Sequence, residues 1–129
     1  MAQTQSPTNE LYKKTAALLN AETMYLCCDS GNMTSFDATT NAPATEISTN
    51  GFSRQAGTRG VITTTVTNDT AQIYYQYTAT ANQNVNGHEV MSASATGNMY
   101  GWCQYAAMQP MQNQDTINCI MQFQAKIGA

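Results

Sequence analysis

Charge is what this sequence has least of, because Asp, Glu, Lys and Arg together supply 10% of its 129 residues. The five basic residues are scattered and the net charge is −3. Binding to nucleic-acid phosphates needs several basic side chains acting together, so nucleic-acid binding is not expected. No apolar run approaches the length of a membrane span, which argues against a membrane protein. The polar N-terminal residues lack the apolar segment of a secretion signal and predict synthesis in a reducing cytoplasm.

Histidine is nearly absent as well, since His88 is the single one, and this excludes a metal site built from several histidines. The four cysteines include no Cys-x-x-Cys pair, so zinc binding is not expected either. Cys27 and Cys28 are adjacent and Cys119 falls on an apolar row, which favours free core thiols over disulfides. His88 and Cys103 fall on neighbouring predicted strands, but a surface imidazole and a core thiol are preferred over a nucleophile pair.

Other catalytic signatures are missing. The eight acidic residues occur singly, without the paired carboxylates of glycoside hydrolysis. There is no glycine-rich phosphate loop and no Gly-x-Ser-x-Gly elbow. Asp29 and Asp37 lack the ligand spacing of a calcium loop. We therefore predict that the protein is not an enzyme and has no catalytic residue, cofactor or metal ion.

What the sequence does contain is a long alternation of apolar and polar residues at its C-terminal end. In residues 117–127 every second position is apolar, and only Ile120 breaks the pattern. A period of two places one row of side chains on each face of a strand. On a helix the same apolar residues would be spread around the whole circumference. We predict a long closing strand with one face in a core.

Upstream segments supply the neighbours of this strand. Strands are predicted at residues 22–28, 51–67, 71–80, 88–95 and 99–105, with turns at 29–32, 68–69, 81–87, 96–98 and 110–116. Residues 51–67 and 71–80 are expected to form a hairpin, with Ile73, Tyr75 and Tyr77 on one face. A helical turn is expected near 45–48. Short strands separated by turn signals predict an all-β fold, an antiparallel β-sandwich of Ig-like or jelly-roll-like type.

The first twenty residues differ from the rest. A polar arm is followed by a predicted helix at residues 7–19, with Ser6 as N-cap and Pro7 in the first turn. The helix either caps one end of the sandwich or docks on a neighbouring subunit, and both alternatives are open. We divide the chain into an arm and helix at residues 1–20 and a β-sandwich domain at residues 21–129.

Several short motifs of this sequence resemble motifs of a known group of proteins. They are Pro43-Ala44-Thr45-Glu46-Ile47, Phe52-Ser53-Arg54, Val66-Thr67-Asn68-Asp69-Thr70-Ala71-Gln72, Tyr77-Thr78-Ala79-Thr80, Glu89-Val90 and Asn113-Gln114-Asp115-Thr116. With them, the run from residue 52 to 127 resembles a recurrent β-sandwich domain of tailed-bacteriophage virion proteins. The resemblance implies a structural role on a virion, assembled in the host cytoplasm, and brings no catalytic residues with it.

Together these features predict a capsid decoration (cement) protein on the capsid exterior. Its expected partners are the major capsid protein and further copies of itself, as a dimer or trimer, whose repeated contacts would stabilise the shell. Contacts with other subunits are predicted at Gln3, Gln5, Leu11, Tyr12, Thr39 and Ile47. The alternative, equally open, is that these residues close off their own sandwich. The alternatives are a neck or tail-fibre adaptor and, in another class, a carbohydrate-binding module using exposed Tyr and Trp rings.

Overall fold

The computed structural model describes Gln3 and residues 7–124, and within them it contains one helix and seven strands. The helix is α1 (Asn9–Ala21), and the strands are β1 (Tyr25–Asp29), β2 (Gln55–Ala56), β3 (Thr58–Ile62), β4 (Thr70–Thr78), β5 (Gln83–Met91), β6 (Met99–Met111) and β7 (Thr116–Gln124). No helix among these residues is long and apolar enough to cross a membrane.

The strands form two sheets, a four-stranded one in the order β2-β1-β5-β6 and a three-stranded one in the order β3-β4-β7. In the first sheet, β1 is antiparallel to both β2 and β5, and β5 is antiparallel to β6. The predicted all-β antiparallel fold with a short N-terminal helix is therefore confirmed.

The central strands β1 and β5 are buried on both faces. In β1 every residue after Tyr25 is buried, and in β5 the same is true from Gly87 to Met91. Strands covered on both sides do not show the alternation of a half-buried strand. Two consecutive residues of such a strand point into different surroundings, and both are removed from water.

The closing strand β7 shows the predicted alternation. Cys119 is fully buried and Ile117 and Met121 are partly buried, while Asn118 and Gln122 are exposed. Ile120, the residue that breaks the pattern, is 48% exposed and so belongs to the outer row. The last residues of the predicted strand, 125–127, lie outside the described residues.

Contacts between residues divide the chain into two compact units. The larger unit consists of Thr23–Thr58 and Tyr74–Met121, and the smaller one of the described residues up to Glu22 with Arg59–Ile73 and residues 122–124.

The core of the larger unit lies between strands of different sheets. Tyr77 of β4 donates its hydroxyl hydrogen to the backbone oxygen of Leu26 in β1 over 2.6 Å. The ring of Phe52 stacks on Tyr77 with centroids 5.7 Å apart, and both side chains are fully buried. The sheets therefore face each other here across a packed interior, as expected of a sandwich.

In the smaller unit, α1 begins two residues later than predicted. Thr8 occupies the N-cap position in an extended conformation, and its carbonyl accepts the N–H of Leu11 over 3.0 Å. The assignment of the N-cap to Ser6 is wrong, because the first intrahelical bond starts at Thr8. The helix buries Tyr12 and Ala16 and leaves its other side chains partly or fully exposed.

Arg59 fixes the C-terminal end of the same helix. Its guanidinium donates to the carbonyl oxygens of Asn20, over 2.9 Å, and of Glu22. The last carbonyls of a helix have no partner inside it, and a cation is favoured there by the helix dipole. One arginine thus replaces the glycine cap that many helices use.

Asp69 organises the loop of the smaller unit between β3 and β4. Its buried carboxylate accepts the backbone N–H groups of Thr64, Thr65 and Val66 at 2.9–3.2 Å. Burial raises the pKa of this carboxyl, but these hydrogen bonds lower it further, so the net pKa lies well below its usual range. The tight turn predicted at 68–69 is in fact the end of a longer loop built around one carboxylate.

Two strands, β5 and β6, include residues that were predicted to lie in turns. Residues 81–87 were predicted as a turn, yet β5 starts at Gln83, because residues 83–85 pair with 109–111 of β6. Gly87 lies in the strand, where an added Cβ would collide with Met33 Cε and the backbone oxygen of Cys103. β6 also continues through Pro110, which is tolerated because β6 is an edge strand.

The segment between β1 and β3 also departs from prediction. The helical turn near 45–48 is wrong, because Glu46 forms an isolated antiparallel bridge with Asp29 instead. Residues 51–67, expected to form one extended segment with a bend at Gly57 or Gly60, are interrupted at Gly57, which separates β2 from β3, and β3 already ends at Ile62. The backbone N–H of Gly57 donates to Met24 over 3.2 Å, which anchors this interruption.

Replacing Tyr77 by Phe should lower the free energy of unfolding by about 1 to 2 kcal/mol, because it leaves the buried oxygen of Leu26 without its donor while keeping the ring. Tyr74→Phe is the matched control on the same strand, since that ring is exposed, and its effect should stay within about 0.5 kcal/mol. Urea denaturation of the two variants checks this. Equal losses would contradict the role given to the buried hydroxyl.

Candidate functional site

The residues predicted to contact other subunits occupy different environments. Gln3, Leu11 and Thr39 are exposed, and Leu11 is 53% accessible. Tyr12 and Ile47 are buried within their own chain. Gln5 lies outside the described residues. The prediction that these residues meet another subunit stays a prediction, and the structure points to a further surface, described below.

The polar interior of the larger unit begins with Asp29, the last residue of β1. Its buried carboxylate accepts three backbone N–H groups, from Gly31 at 2.7 Å, Ala44 at 2.8 Å and Thr45 at 2.9 Å. The first lies just after the strand and the other two lie at the far end of the following loop. One carboxylate therefore holds both ends of the 30–45 loop.

Glu89 of β5 lies beside Asp29 and is fully buried. Burial, together with the nearby Asp29 carboxylate, raises the pKa of Glu89 to about 9. Burial also raises the pKa of Asp29, but hydrogen bonds from Glu89 and from the three loop N–H groups outweigh it and leave that pKa below its usual value. At neutral pH the two acids thus form a neutral carboxyl and a carboxylate that share a hydrogen bond.

Arg54 connects Glu46 to the turn between β5 and β6. Its guanidinium forms a two-pronged ion pair with Glu46, with Nε 3.0 Å from Oε2. Its remaining nitrogen, Nη1, donates to the backbone oxygens of Ala93 and Thr96, each over 2.8 Å. Thr96 has a positive φ of 56°, so this arginine also supports a left-handed residue in the turn between β5 and β6.

His88 is not the surface imidazole that the sequence suggested, because it is only 3% exposed. Its Nε2–H donates to the backbone oxygen of Ile120 over 3.0 Å, which leaves Nδ1 as the acceptor for the Tyr105 hydroxyl at 2.8 Å. Cys103 is the register partner of His88 on β6. Both ring nitrogens are nevertheless used elsewhere, so the geometry does not make His88 and Cys103 a nucleophile pair.

Within the described residues, no group of three or more His, Cys, Asp or Glu side chains is arranged to hold a metal ion.

The outward-facing feature of the larger unit is strand β6. It is the terminal strand of its sheet, with β5 on one side and, among the described residues, no strand on the other. It carries no charged residue, and between Val90 and Gln124 the single charge is Asp115. Natural edge strands are commonly protected by charged side chains, proline or bulges. We call β6 (Met99–Met111) the uncharged edge.

Large apolar side chains are exposed on and near the uncharged edge, namely Tyr100, Trp102, Met108 and, on β7, Ile120. Trp102 is supported by the ring of Phe36, which packs edge-on with centroids 5.5 Å apart. Tyr100 and Trp102 border a groove of about 310 Å³ that is also lined by Asp37, Thr40 and Met121.

The pairing of β6 with β5 is interrupted. Val85 pairs with Gln109 and Gly87 with Gln104, so residues 105–108 of β6 oppose Asn86 alone. Such a bulge twists the strand locally and limits the length of straight edge that remains open. A second register shift lies between Val90 and Met91, opposite Tyr100, so the regular part of the uncharged edge runs from Gly101 to Gln104.

Residues 9–125 match the family model described as Podophage GP4 fiber I protein gp80. The chain belongs to this family, and the resemblance to phage virion structural proteins is thereby confirmed. No curated protein matches the sequence.

The acid pair predicts an unusual pH dependence of stability. The pKa of Glu89 rises from 4.5 to about 9 on folding, so between these values the native state keeps a proton that the unfolded state loses. The stabilisation of the native state by the protonated Glu89 carboxyl is complete below pH 4.5. It is lost as the pH rises towards about 9, by up to about 1.4 kcal/mol per pH unit. Glu89→Gln retains a donor for Asp29 but cannot ionise, so its unfolding free energy should decline much less over this range.

Urea denaturation in a series of buffers measures this difference. Glu10→Gln is the matched control, because Glu10 is exposed on α1 and is paired with Lys13 on the same helix. It should keep the pH dependence of the wild type. An unchanged pH dependence in Glu89→Gln would contradict the protonated state assigned to Glu89.

Proposed function

We propose that this protein is a fibre component of a tailed-phage virion and that it assembles through the uncharged edge with a second copy of itself. The family match supports a structural role on the virion, and the name of the family supports a fibre. The observation that carries the assembly surface is the open strand β6, which exposes Tyr100, Trp102 and Met108 and no charge.

The argument for a second copy rests on charge and on backbone geometry. An uncharged edge offers nothing to a strongly charged partner, but two identical uncharged edges approach each other without repulsion. Two copies of one edge strand pair antiparallel around a twofold axis, so the same row of N–H and C=O groups is satisfied on both. The aromatic side chains beside the edge then lose contact with water in each copy.

Attachment to the capsid exterior, as a decoration protein bound to the major capsid protein, is the other position that the sequence predicts. A fibre is our preferred assignment because it agrees with the family name. A decoration protein would occur in numbers comparable to the capsid subunits, whereas a fibre attached at the neck or tail would occur in few copies.

Quantitative gel analysis of purified virions, combined with gold-labelled antibodies in electron microscopy, distinguishes these positions. We expect a low copy number and label at the tail end of the particle. High copy number with label spread over the head would contradict the fibre assignment and support a decoration protein. Absence from purified virions would contradict both.

Self-association through the uncharged edge predicts a specific sensitivity to charge. Tyr100→Lys places a positive charge on each of two apposed edges, so the dissociation constant of the self-complex should rise at least tenfold, measured by analytical ultracentrifugation. Ala17→Lys is the matched control, because it adds the same charge to an exposed position of α1. Equal effects of the two variants would contradict the proposed surface.

The behaviour of the wild type decides between possible occupants of this surface. A monomer at all concentrations that binds isolated capsid shells would assign the uncharged edge to a capsid partner instead. A monomer that binds sugars on a glycan array, with loss of binding in Trp102→Ala, would assign the groove beside Tyr100 and Trp102 to carbohydrate.

A further inference from the structure

Two buried thiols of the larger unit lie close together although their residues are far apart in sequence. The sulfur atoms of Cys28 and Cys119 are 3.7 Å apart, and both side chains are fully buried. Cys28 belongs to β1 of the four-stranded sheet, and Cys119 to β7 of the three-stranded sheet. A bond between them would connect the two sheets through the core.

The two thiols lie at one end of a chain of hydrogen bonds that continues through Tyr105 and His88 to Ile120. Cys119 Sγ lies 3.6 Å from the Tyr105 hydroxyl, and that hydroxyl donates to His88 Nδ1 over 2.8 Å. His88 Nε2–H in turn donates to the carbonyl oxygen of Ile120. A proton leaving Cys119 therefore has a route through Tyr105 to His88, whose ring is then protonated on both nitrogens.

We propose that Cys28 and Cys119 are a modification site, at which a peroxide converts the two thiols into a disulfide that joins the sheets. The sulfur atoms have to approach from 3.7 Å to the bond length of about 2.05 Å. This is a small shift for two side chains that already face each other in a packed core. The proposal is independent of whether the protein is a fibre or a decoration protein.

The electrostatics of the site favour Cys119 as the thiol that reacts first. Hydrogen bonding from the Cys28 thiol lowers the pKa of Cys119, and His88 and Tyr105 lower it further against the opposing effect of burial. The Cys28 pKa is raised by the same pair interaction and by burial. Cys119 therefore ionises more readily, whereas Cys28 keeps its proton until its sulfur reacts with the oxidised Cys119.

The chemistry is balanced by hydrogen peroxide as the two-electron oxidant. The Cys119 thiolate attacks one peroxide oxygen, the O–O bond breaks, and hydroxide leaves and takes up the proton held by His88 to become water. The Cys28 sulfur then attacks the sulfenic acid at Cys119. The S–O bond breaks as the S–S bond forms, and the oxygen departs as a second water with the Cys28 proton.

An entry path for a small oxidant exists on the side of Tyr105. A surface pocket of about 340 Å³ is lined by Cys103, Tyr105, Ile117 and Asn118, among others. Tyr105 is part of this wall and at the same time contacts the Cys119 sulfur. A molecule of the size of water or peroxide therefore needs only a movement of this ring to reach the thiol.

The timing of the modification follows from the compartments that a virion protein passes through. Cytoplasmic thiols are kept reduced, so the protein folds and assembles with the four free cysteines of this structure. Outside the cell the bond persists once it is formed. Because it closes a loop of most of the chain, it should raise the melting temperature by roughly 10 °C.

The experiment treats the purified, folded wild-type protein with hydrogen peroxide. We expect loss of two of its four thiols and a chymotryptic peptide pair that joins Cys28 to Cys119 in mass spectrometry. We also expect a higher melting temperature that reverts on reduction. Cys103→Ser is the matched control and should form the same bond, whereas Cys119→Ser should not.

The proposed proton transfer from Cys119 through Tyr105 to His88 is tested by the pH dependence of the oxidation rate. Tyr105→Phe should slow the oxidation roughly tenfold at pH 7 and recover at alkaline pH, where the thiol ionises without help. A bond that forms equally fast in this variant at every pH would contradict the proton route. Oxidation confined to Cys103, or sulfinic acid at Cys119 without a linked peptide, would overturn the proposed disulfide.

Discussion

The larger unit depends on a carboxylate that is kept charged in a place without water. Asp29 is fully buried, and an unpaired charge there would be strongly destabilising. Three N–H groups of the following loop and the carboxyl proton of Glu89 provide the hydrogen bonds that make the charge tolerable. The loop over β1 and β5 is ordered for the same reason, since its backbone is the counterpart that this carboxylate requires.

Several charged side chains are engaged inside the protein, whereas its outer strand β6 is uncharged. The acidic side chains at Asp29, Asp69 and Glu89 are buried, and Arg54 is engaged with Glu46 and two carbonyls. The strand β6 itself carries no charged residue, and it exposes the rings of Tyr100 and Trp102. Natural proteins commonly protect such edges with charge, proline or bulges, so an uncharged and partly aromatic edge is consistent with the assembly surface proposed above.

The sequence predicted the elements whose signal is local. The alternation in residues 117–127 predicted the closing strand, which the structure shows from Thr116 to Gln124, because a period of two follows directly from strand geometry. The buried polar groups were missed, because β5 is covered on both faces and only the sheet order reveals that His88 and Glu89 lie inside. The proximity of Cys28 to Cys119 likewise depends on how two sheets face each other, which no local pattern contains.

Hydrogen exchange of the backbone amides tests the central claim, that the uncharged edge is an assembly surface, most directly. The amides of β6 between Gly101 and Gln104 have no strand on their outer side in the described chain, so the outward ones should exchange rapidly in dilute protein. At high concentration and in purified virions the same amides should become protected, while those of β5 stay protected throughout. Rapid exchange of the β6 amides in the virion would contradict the account.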